Sequence, residues 1–310
     1  MSEDNLKPLF TEIDNEVLSP LSTNTRHFSN DSDEESVPVI ETIEEDIQNK
    51  DSKFVLFFGS AYSGKSVILA SLLYYLKTKE GVLEINPSKT HTKEERMLIS
   101  DFLDNLRKGE LPERTTLDKV TQLDFTFKPN NKSKKVRPIN LSFLETAGDN
   151  NYQIRRGGSF HDSLDSYLNS NISLTIVLVT SYDNANREDT FIDEFLSSLK
   201  EKVNLKSLKI ILVISKWDIS NRMRVSNEIE LENFIKRNLP MTYSAMNTYG
   251  MAKTYYTIGE VAEVDGRKKI TKLNLYTAEK LSKWIYKSIV GYPLDYEGTL
   301  WERIKFSFTT

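Results

Sequence analysis

The 310-residue chain has no cysteine, which excludes disulfides, thiolate metal sites and cysteine nucleophiles. It has only three histidines, scattered along the sequence, so a histidine-based metal site is not expected. Long apolar runs are missing too. The longest, at residues 54–58, 174–179 and 210–214, fall far short of the roughly 18 residues that suggest a membrane span. The first residues are acidic and polar, so no secretory signal is read, and a cytoplasmic protein is expected.

Apolar material is also scarce across residues 1–52, which carry 14 Asp/Glu against 3 Lys/Arg. Such a stretch buries too little surface to offset its ordering entropy, and most of it is expected to be a disordered acidic tail. Within it Val39, Ile40, Ile43 and Ile47 fall at roughly helical spacing, as a short solvated helix or a docking segment would. The remainder holds 38 basic and 31 acidic residues within an overall charge of −4. That mild excess suits an anionic ligand without arguing for nucleic acid. The expected division is a tail over 1–52, one domain over 53–292 and a C-terminal extension over 293–310.

What the chain does have is concentrated at residues 54–66. The apolar run from Phe54 to Phe58 ends at Gly59, and GSAYSGKS then fits GxxxxGK(S/T) at every position. An apolar helical stretch runs on from Val67 to Leu76. Strand, glycine-rich turn and helix is the context this motif requires. Glycines let successive N–H groups point inward around phosphate oxygens, and the helix start adds unpaired N–H groups and the positive dipole end. The cradle comprises Gly59, Ser60, Ala61, Ser63, Gly64, Lys65, Ser66 and Val67. Lys65 would reach the β- and γ-phosphates and Ser66 would coordinate Mg²⁺.

Beyond it, residues 81–96 read as loop and 94–108 as a helix stopped by Gly109. Residues 120–128 and 139–144 read as an antiparallel hairpin with a basic tip at Lys132, Lys134, Lys135 and Arg137, either a solvated end or an anion- or partner-binding patch. Residues 174–179 and 209–214 read as buried strands, with helices over 188–203 and 228–238. A short last strand is expected at 241–244, a second hairpin about Asp265 and Gly266 within 254–275, and a helix over 277–290 with Thr277 as N-cap. Continuous apolar strands alternating with helices predict an α/β fold: a P-loop NTPase with a mostly parallel sheet, one antiparallel hairpin strand and helices on both faces.

Ligands of such sheets bind at the carboxyl ends of the strands. Three further strand ends carry Glu145-Thr-Ala-Gly148, Ser215-Lys-Trp-Asp218 and Ser244-Ala245. With GSAYSGKS these occur in the order, and at the strand ends, of the motifs of the translation-factor-like class of P-loop GTPases, which the sequence resembles over about residues 53–290. The resemblance implies a GTP/GDP site with Mg²⁺. Gly148 would contact the γ-phosphate, and Glu145 would hold Mg²⁺ through water. Asp218 would accept two hydrogen bonds from guanine, the Lys216 stem would pack along the base, and the N–H groups of Ser244 and Ala245 would meet its O6. Thr115 or Thr116 would be the switch threonine that completes the metal shell, with Thr115 favoured.

Three departures bear on activity. Glu145 replaces the family's Asp, Ser215 replaces its Asn, and Asp149 and Asn150 stand where small GTPases carry a water-orienting Gln. Asp149 could position the water, and Arg155 or Arg156 could serve as an arginine finger. Together these imply a GTP-binding switch with slow hydrolysis. Partner proteins, a second GTPase-like subunit or self-association would accelerate it. The alternatives are a non-hydrolysing nucleotide-binding scaffold and an ATPase of the same superfamily. Within the class, the insert at 77–114 and the hairpin after Ser244-Ala245 resemble divergent GTPase domains of bacterial and phage operons, including the double-GTPase-type group.

Overall fold

Alternation along a strand sends neighbouring side chains to opposite faces, and β1 (Lys53–Phe58) shows what that achieves here. Every residue after Lys53 is buried. Val55 and Phe57 join one core, and Phe54, Leu56 and Phe58 join another on the opposite face. A strand apolar on both sides needs helices on both sides, which is why its sequence is a continuous apolar run.

The computed structural model describes residues 51–87, 92–112, 120–146, 160, 162–220 and 228–298, all within the compact unit Glu44–Thr310. The acidic tail, with its helically spaced residues at 39–47, lies outside them. So do the last twelve residues and residues 113–119 and 147–159. The remaining strands of the main sheet are β2 (Gly81–Ile85), β3 (Thr121–Pro129), β4 (Ile139–Glu145), β5 (Ser173–Ser181), β6 (Lys209–Ser215) and β7 (Ala252–Tyr255). Their order is β2-β3-β4-β1-β5-β6-β7. Pairing is parallel from β4 through β1, β5, β6 and β7, whereas β3 is antiparallel to both its neighbours. The expected α/β architecture, mostly parallel with one reversed strand, is therefore observed. A separate two-stranded sheet is formed by β8 (Gly259–Val264) and β9 (Arg267–Leu273), turning at Asp265 and Gly266.

One face is covered by α1 (Lys65–Tyr75), α2 (Lys93–Lys108) and α7 (Tyr276–Val290). Because α1 packs against both α2 and α7 as well as the sheet, it is apolar nearly all round. Thr92 starts α2 with a reciprocal capping box to Glu95, and Gly109 ends it in the left-handed conformation. The other face carries α3 (Asp162–Asn169), α4 (Ala185–Lys202), α5 (Glu228–Asn238) and α6 (Pro240–Tyr249). Phe58 stacks there against Phe191 and Phe195 of α4. Truncating such a buried ring typically costs about 3–5 kcal/mol.

Several expectations are corrected. Residues 81–85 form an edge strand, not a loop; only Leu83 is buried in it, so the sequence carries no strand period. Residues 241–244 belong to α6, not to a strand. Pro240 sits at the start of that helix, and the Asp189 carboxylate accepts from Met241 N, Thr242 N and Thr242 Oγ1 at 2.9, 2.9 and 2.8 Å. A cap supplied from α4, 52 residues away in the chain, is invisible to local reading. The last strand of the sheet is instead β7, whose Thr254 and Tyr255 fall within the stretch expected to form the second hairpin. Helix α7 begins at Tyr276, with Asn274 Oδ1 accepting from its N–H at 2.9 Å; Thr277 is inside the helix and turns elsewhere.

The basic tip of the first hairpin is not bare. Asn131 Nδ2 donates to the carbonyls of Leu294 and Tyr296 at 2.7 and 3.0 Å. The Lys135 ammonium lies 4.8 Å from the ring centre of Tyr292 and 5.5 Å from that of Tyr296. Leu294 is buried in the core, so the first residues of the expected C-terminal extension pack onto the domain.

Candidate functional site

Five parallel strands end on one edge, with β5 and β6 reaching beyond the end of β1. Phe57 of β1 is level with Glu145 of β4, Phe58 with Leu178 of β5, and Ser181 with Ser215 of β6. The loop after β1 is thus flanked by Glu145 on one side and by the ends of β5 and β6 on the other.

That loop is tightly fitted. A Cβ on Gly59 would lie 2.2 Å from the Val179 carbonyl oxygen, so only glycine allows β1 to end this close to β5. Gly64 adopts φ 95°, a left-handed value that glycine tolerates without cost, and its carbonyl accepts the first helical bond from Ile68 N at 3.0 Å. The buried Lys65 ammonium donates to the carbonyls of Gly59 and Ser60 at 3.0 and 2.8 Å. It is folded across its own loop, where three ammonium protons allow exchange onto an incoming anion. Ser60 Oγ donates to the buried carboxylate of Glu188, which fixes the loop's outer limb to α4. Tyr62, at φ 61°, is 72% exposed at the rim.

Ser66 Oγ donates to Glu145 Oε1, joining the first turn of α1 to the end of β4. This couples a hydroxyl and a buried carboxylate, hard oxygen donors of the kind Mg²⁺ takes, with water and ligand phosphates completing its shell. No group of three or more His, Cys, Asp or Glu suited to a metal occurs among the described residues. Ser66 and Glu145 are the described residues that would hold a metal here. Thr146 Oγ1 donates to the Phe57 carbonyl at 3.1 Å, holding the chain beyond β4 against β1.

The far end of the site is built on Trp217. Its buried ring meets Tyr182, Phe234 and Tyr255 with centroids 5.3, 5.3 and 5.7 Å away. Its backbone N–H donates to the Tyr256 carbonyl at 3.0 Å. With the tryptophan pinned inward at the start of a short 3₁₀ turn, Asp218, the next residue, lines the cleft. Lys216 is left-handed at φ 52° and pairs with Asp183 at 3.5 Å. Burial works to raise the Asp183 carboxyl, but the Ser181 hydroxyl and the Lys216 ammonium outweigh it, and its pKa lies below the ordinary value. Ser215 donates from Oγ to the Ser63 carbonyl at 2.5 Å. It keeps a side-chain contact with the phosphate loop.

These elements enclose one cleft of about 670 Å³, a size suited to a small-molecule ligand. Its lining includes Ala61, Gly64, Lys65, Ser66 and Val67 from the loop after β1 and the start of α1, Glu145 and Thr146 from the end of β4, and Ser215, Lys216 and Asp218 from the end of β6. Ser244 and Ala245 are not among the lining residues; they sit in mid-helix in α6. Their place beside Asp218 is taken by the chain after β7, where Tyr256 and Ile258 line the cleft. Burial raises the Tyr256 hydroxyl, which hydrogen-bonds Ser71. Thr257 and Thr277, which sequence reasoning passed over as site residues, hold this stretch in place; no local motif marks them. Thr115, Thr116, Gly148, Asp149, Asn150, Arg155 and Arg156 lie outside the described residues.

A GxxxxGK(S/T) loop joining strand to helix at the carboxyl edge of a mostly parallel sheet defines a P-loop α/β protein. No protein-family profile and no curated protein sequence matches the chain. Solved structures to which it is similar include the following three. One is the signal recognition particle receptor SRb in the SRb-GTP/SRX complex of Chaetomium thermophilum (13% identity, 76% of this chain and 98% of that one, TM-score 0.41). Another is Toc33 of Arabidopsis thaliana, as a dimerization-deficient mutant (14%, 76% and 84%, 0.38). The third is the GTP-bound GTPase-like domain of S. cerevisiae Ski7 (16%, 66% and 42%, 0.31). At these scores the likeness stops at the broad layout, and the choice of ligand rests on the cleft itself.

Proposed function

We propose that this protein is a GTP-binding molecular switch, Mg²⁺-dependent, with slow GTP hydrolysis, acting through partner proteins in the cytoplasm. One observation carries the reading: Lys65 and Asp218, from opposite ends of the motif series, line a single cleft of nucleotide size. Main-chain N–H groups from Gly59 to Val67 would hold the β- and γ-phosphates, with the Lys65 ammonium released from its loop carbonyls to join them. Asp218 would accept from the guanine N1–H and 2-amino groups, and adenine lacks that donor pair. A carboxylate left without partners in a closed site is costly, so the residue discriminates between bases. The Lys216 stem would cover the base.

Ser66 and Glu145 would hold one Mg²⁺, with Thr115 joining them, and the ion would neutralise charge on the β- and γ-phosphates. Gly148 would sense the γ-phosphate, and Asp149 would position the attacking water. Ordering and release of the loops that carry these residues would be the switching event. The motif series favours the translation-factor-like class, and the extra hairpin the divergent double-GTPase-type group within it. Partners would be a second GTPase-like subunit, a second copy or another protein.

A non-hydrolysing scaffold is the second reading. It is favoured by the direct hydrogen bond from Ser66 Oγ to Glu145 Oε1, which engages the hydroxyl that would hold the metal. Denaturing the purified protein and identifying the released nucleotide separates the readings. GDP indicates a working hydrolase, uncleaved GTP after long incubation with Mg²⁺ a scaffold, and ATP or ADP refutes the base assignment.

A further inference from the structure

We infer that the β8–β9 hairpin is a retaining wall of the nucleotide site, closing over the sugar and base and setting the rate at which the ligand leaves; this rests on the nucleotide reading above. Val261, Glu263 and Lys268 of the hairpin border the same cleft as Lys65 and Asp218. The two strands form a sheet of their own, separate from the main sheet. The hairpin must therefore be held over the cleft at its root and flank.

Both are anchored. At the root, Asn274 N donates to the Ile258 carbonyl at 2.9 Å and Gly259 N to Thr257 Oγ1 at 3.2 Å. A Cβ on Gly259 would lie 2.0 Å from the Lys272 carbonyl oxygen, so the strands close tightly there. On the flank, Ile270 N donates to the Gly109 carbonyl at 2.7 Å, and Glu110 bridges to Lys269. Gly109, at φ 73°, permits this approach, since its Cβ would lie 2.7 Å from the Ile270 carbonyl oxygen. Ile270 is buried in the core shared with α1. Fixed at two places, the hairpin is a wall and not a swinging flap.

Its lining chemistry matches the middle of a nucleotide. Val261 and Ile258, with Leu111 and Pro112, give apolar surface for the base and the sugar carbons. Glu263 and Lys268 stand opposite each other in register, a carboxylate able to accept from sugar hydroxyls beside an ammonium able to meet a phosphate oxygen. Leu111 and Pro112 continue directly from the Gly109–Glu110 contact. The wall is thereby joined to the chain entering residues 113–119, where Thr115 lies.

The test is release of radiolabelled GDP and GTP from the full chain into unlabelled excess, monitored by filter binding. The label avoids a fluorophore on the sugar, which would press against the wall itself. The double variant Val261→Ser, Lys268→Ala should release nucleotide at least about tenfold faster, the effect of losing about 1.4 kcal/mol of contact. Val264→Ser, on the same strand but outside the cleft lining, should release at the parental rate. An unchanged rate in a double variant that melts like the parent overturns the wall while leaving guanine-nucleotide binding intact. Equal acceleration in both variants overturns it too, by pointing to general loosening of the hairpin. Failure of the parent to bind guanine nucleotide overturns this inference together with the reading it rests on. Should the double variant not fold, Lys268→Ala alone, a change at an exposed side chain, carries the same comparison.

Discussion

Asp218 accepts a hydrogen bond from Thr257 Oγ1 at 3.2 Å, and Thr257 is itself held by Thr277, whose hydroxyl donates to the Thr257 carbonyl at 2.6 Å. The carboxylate proposed to read the base is thus aimed from α7, through the chain just beyond β7. Replacing Thr257 with Val removes the aim but keeps the carboxylate. Base selectivity, measured as the ratio of GTP to ATP affinity by calorimetry, should fall severalfold while phosphate binding survives.

Asp218→Asn should act more strongly. Losing a charge-assisted pair of hydrogen bonds costs roughly 1.5–3 kcal/mol for each bond. GTP affinity should drop by at least about tenfold, with ATP affinity nearly unchanged. Equal losses for both nucleotides would place Asp218 outside base recognition.

Lys65→Ala removes the cation of the phosphate loop and the two bonds to Gly59 and Ser60 carbonyls. Nucleotide binding should be undetectable by equilibrium dialysis while the circular dichroism spectrum is kept. Retained micromolar affinity in that variant counts against the phosphate site.

Ser66→Ala deletes the hydroxyl that bonds Glu145. In the parent, Mg²⁺ should tighten GTP binding; in the variant, titrations with Mg²⁺ and with EDTA should give nearly the same affinity. A full metal effect in the variant would show that the ion is held elsewhere.

Asp189→Ala strips three hydrogen bonds from the start of α6. An N-cap is typically worth about 1 kcal/mol, and burial of the freed groups adds to the loss. The urea midpoint should shift by the equivalent of about 2 kcal/mol. Because α6 contributes no residue to the cleft lining, nucleotide affinity in the folded protein should be unchanged.

The phosphate loop, the buried strands and the layered α/β plan were legible from the residues alone. Those features are written in runs of consecutive residues: a spaced glycine motif, continuous apolar stretches of strand length, an apolar helix behind them. The sequence also placed Asp218 at a strand end, because the strand before it is uninterrupted from Ile210 to Ile214. The rest depends on contacts made after folding. A largely exposed edge strand such as β2 exists because β3 offers it a ladder, and its own sequence has no period to reveal it. Residues 241–244 are helical because a carboxylate from α4 satisfies the first N–H groups of α6. Thr277 is a prop for Thr257 and not the expected cap, and the hairpin after β7 borders the cleft. In each case the deciding partner is distant in the chain and near only once the sheet has formed, and pairings of that kind leave no mark in local spacing.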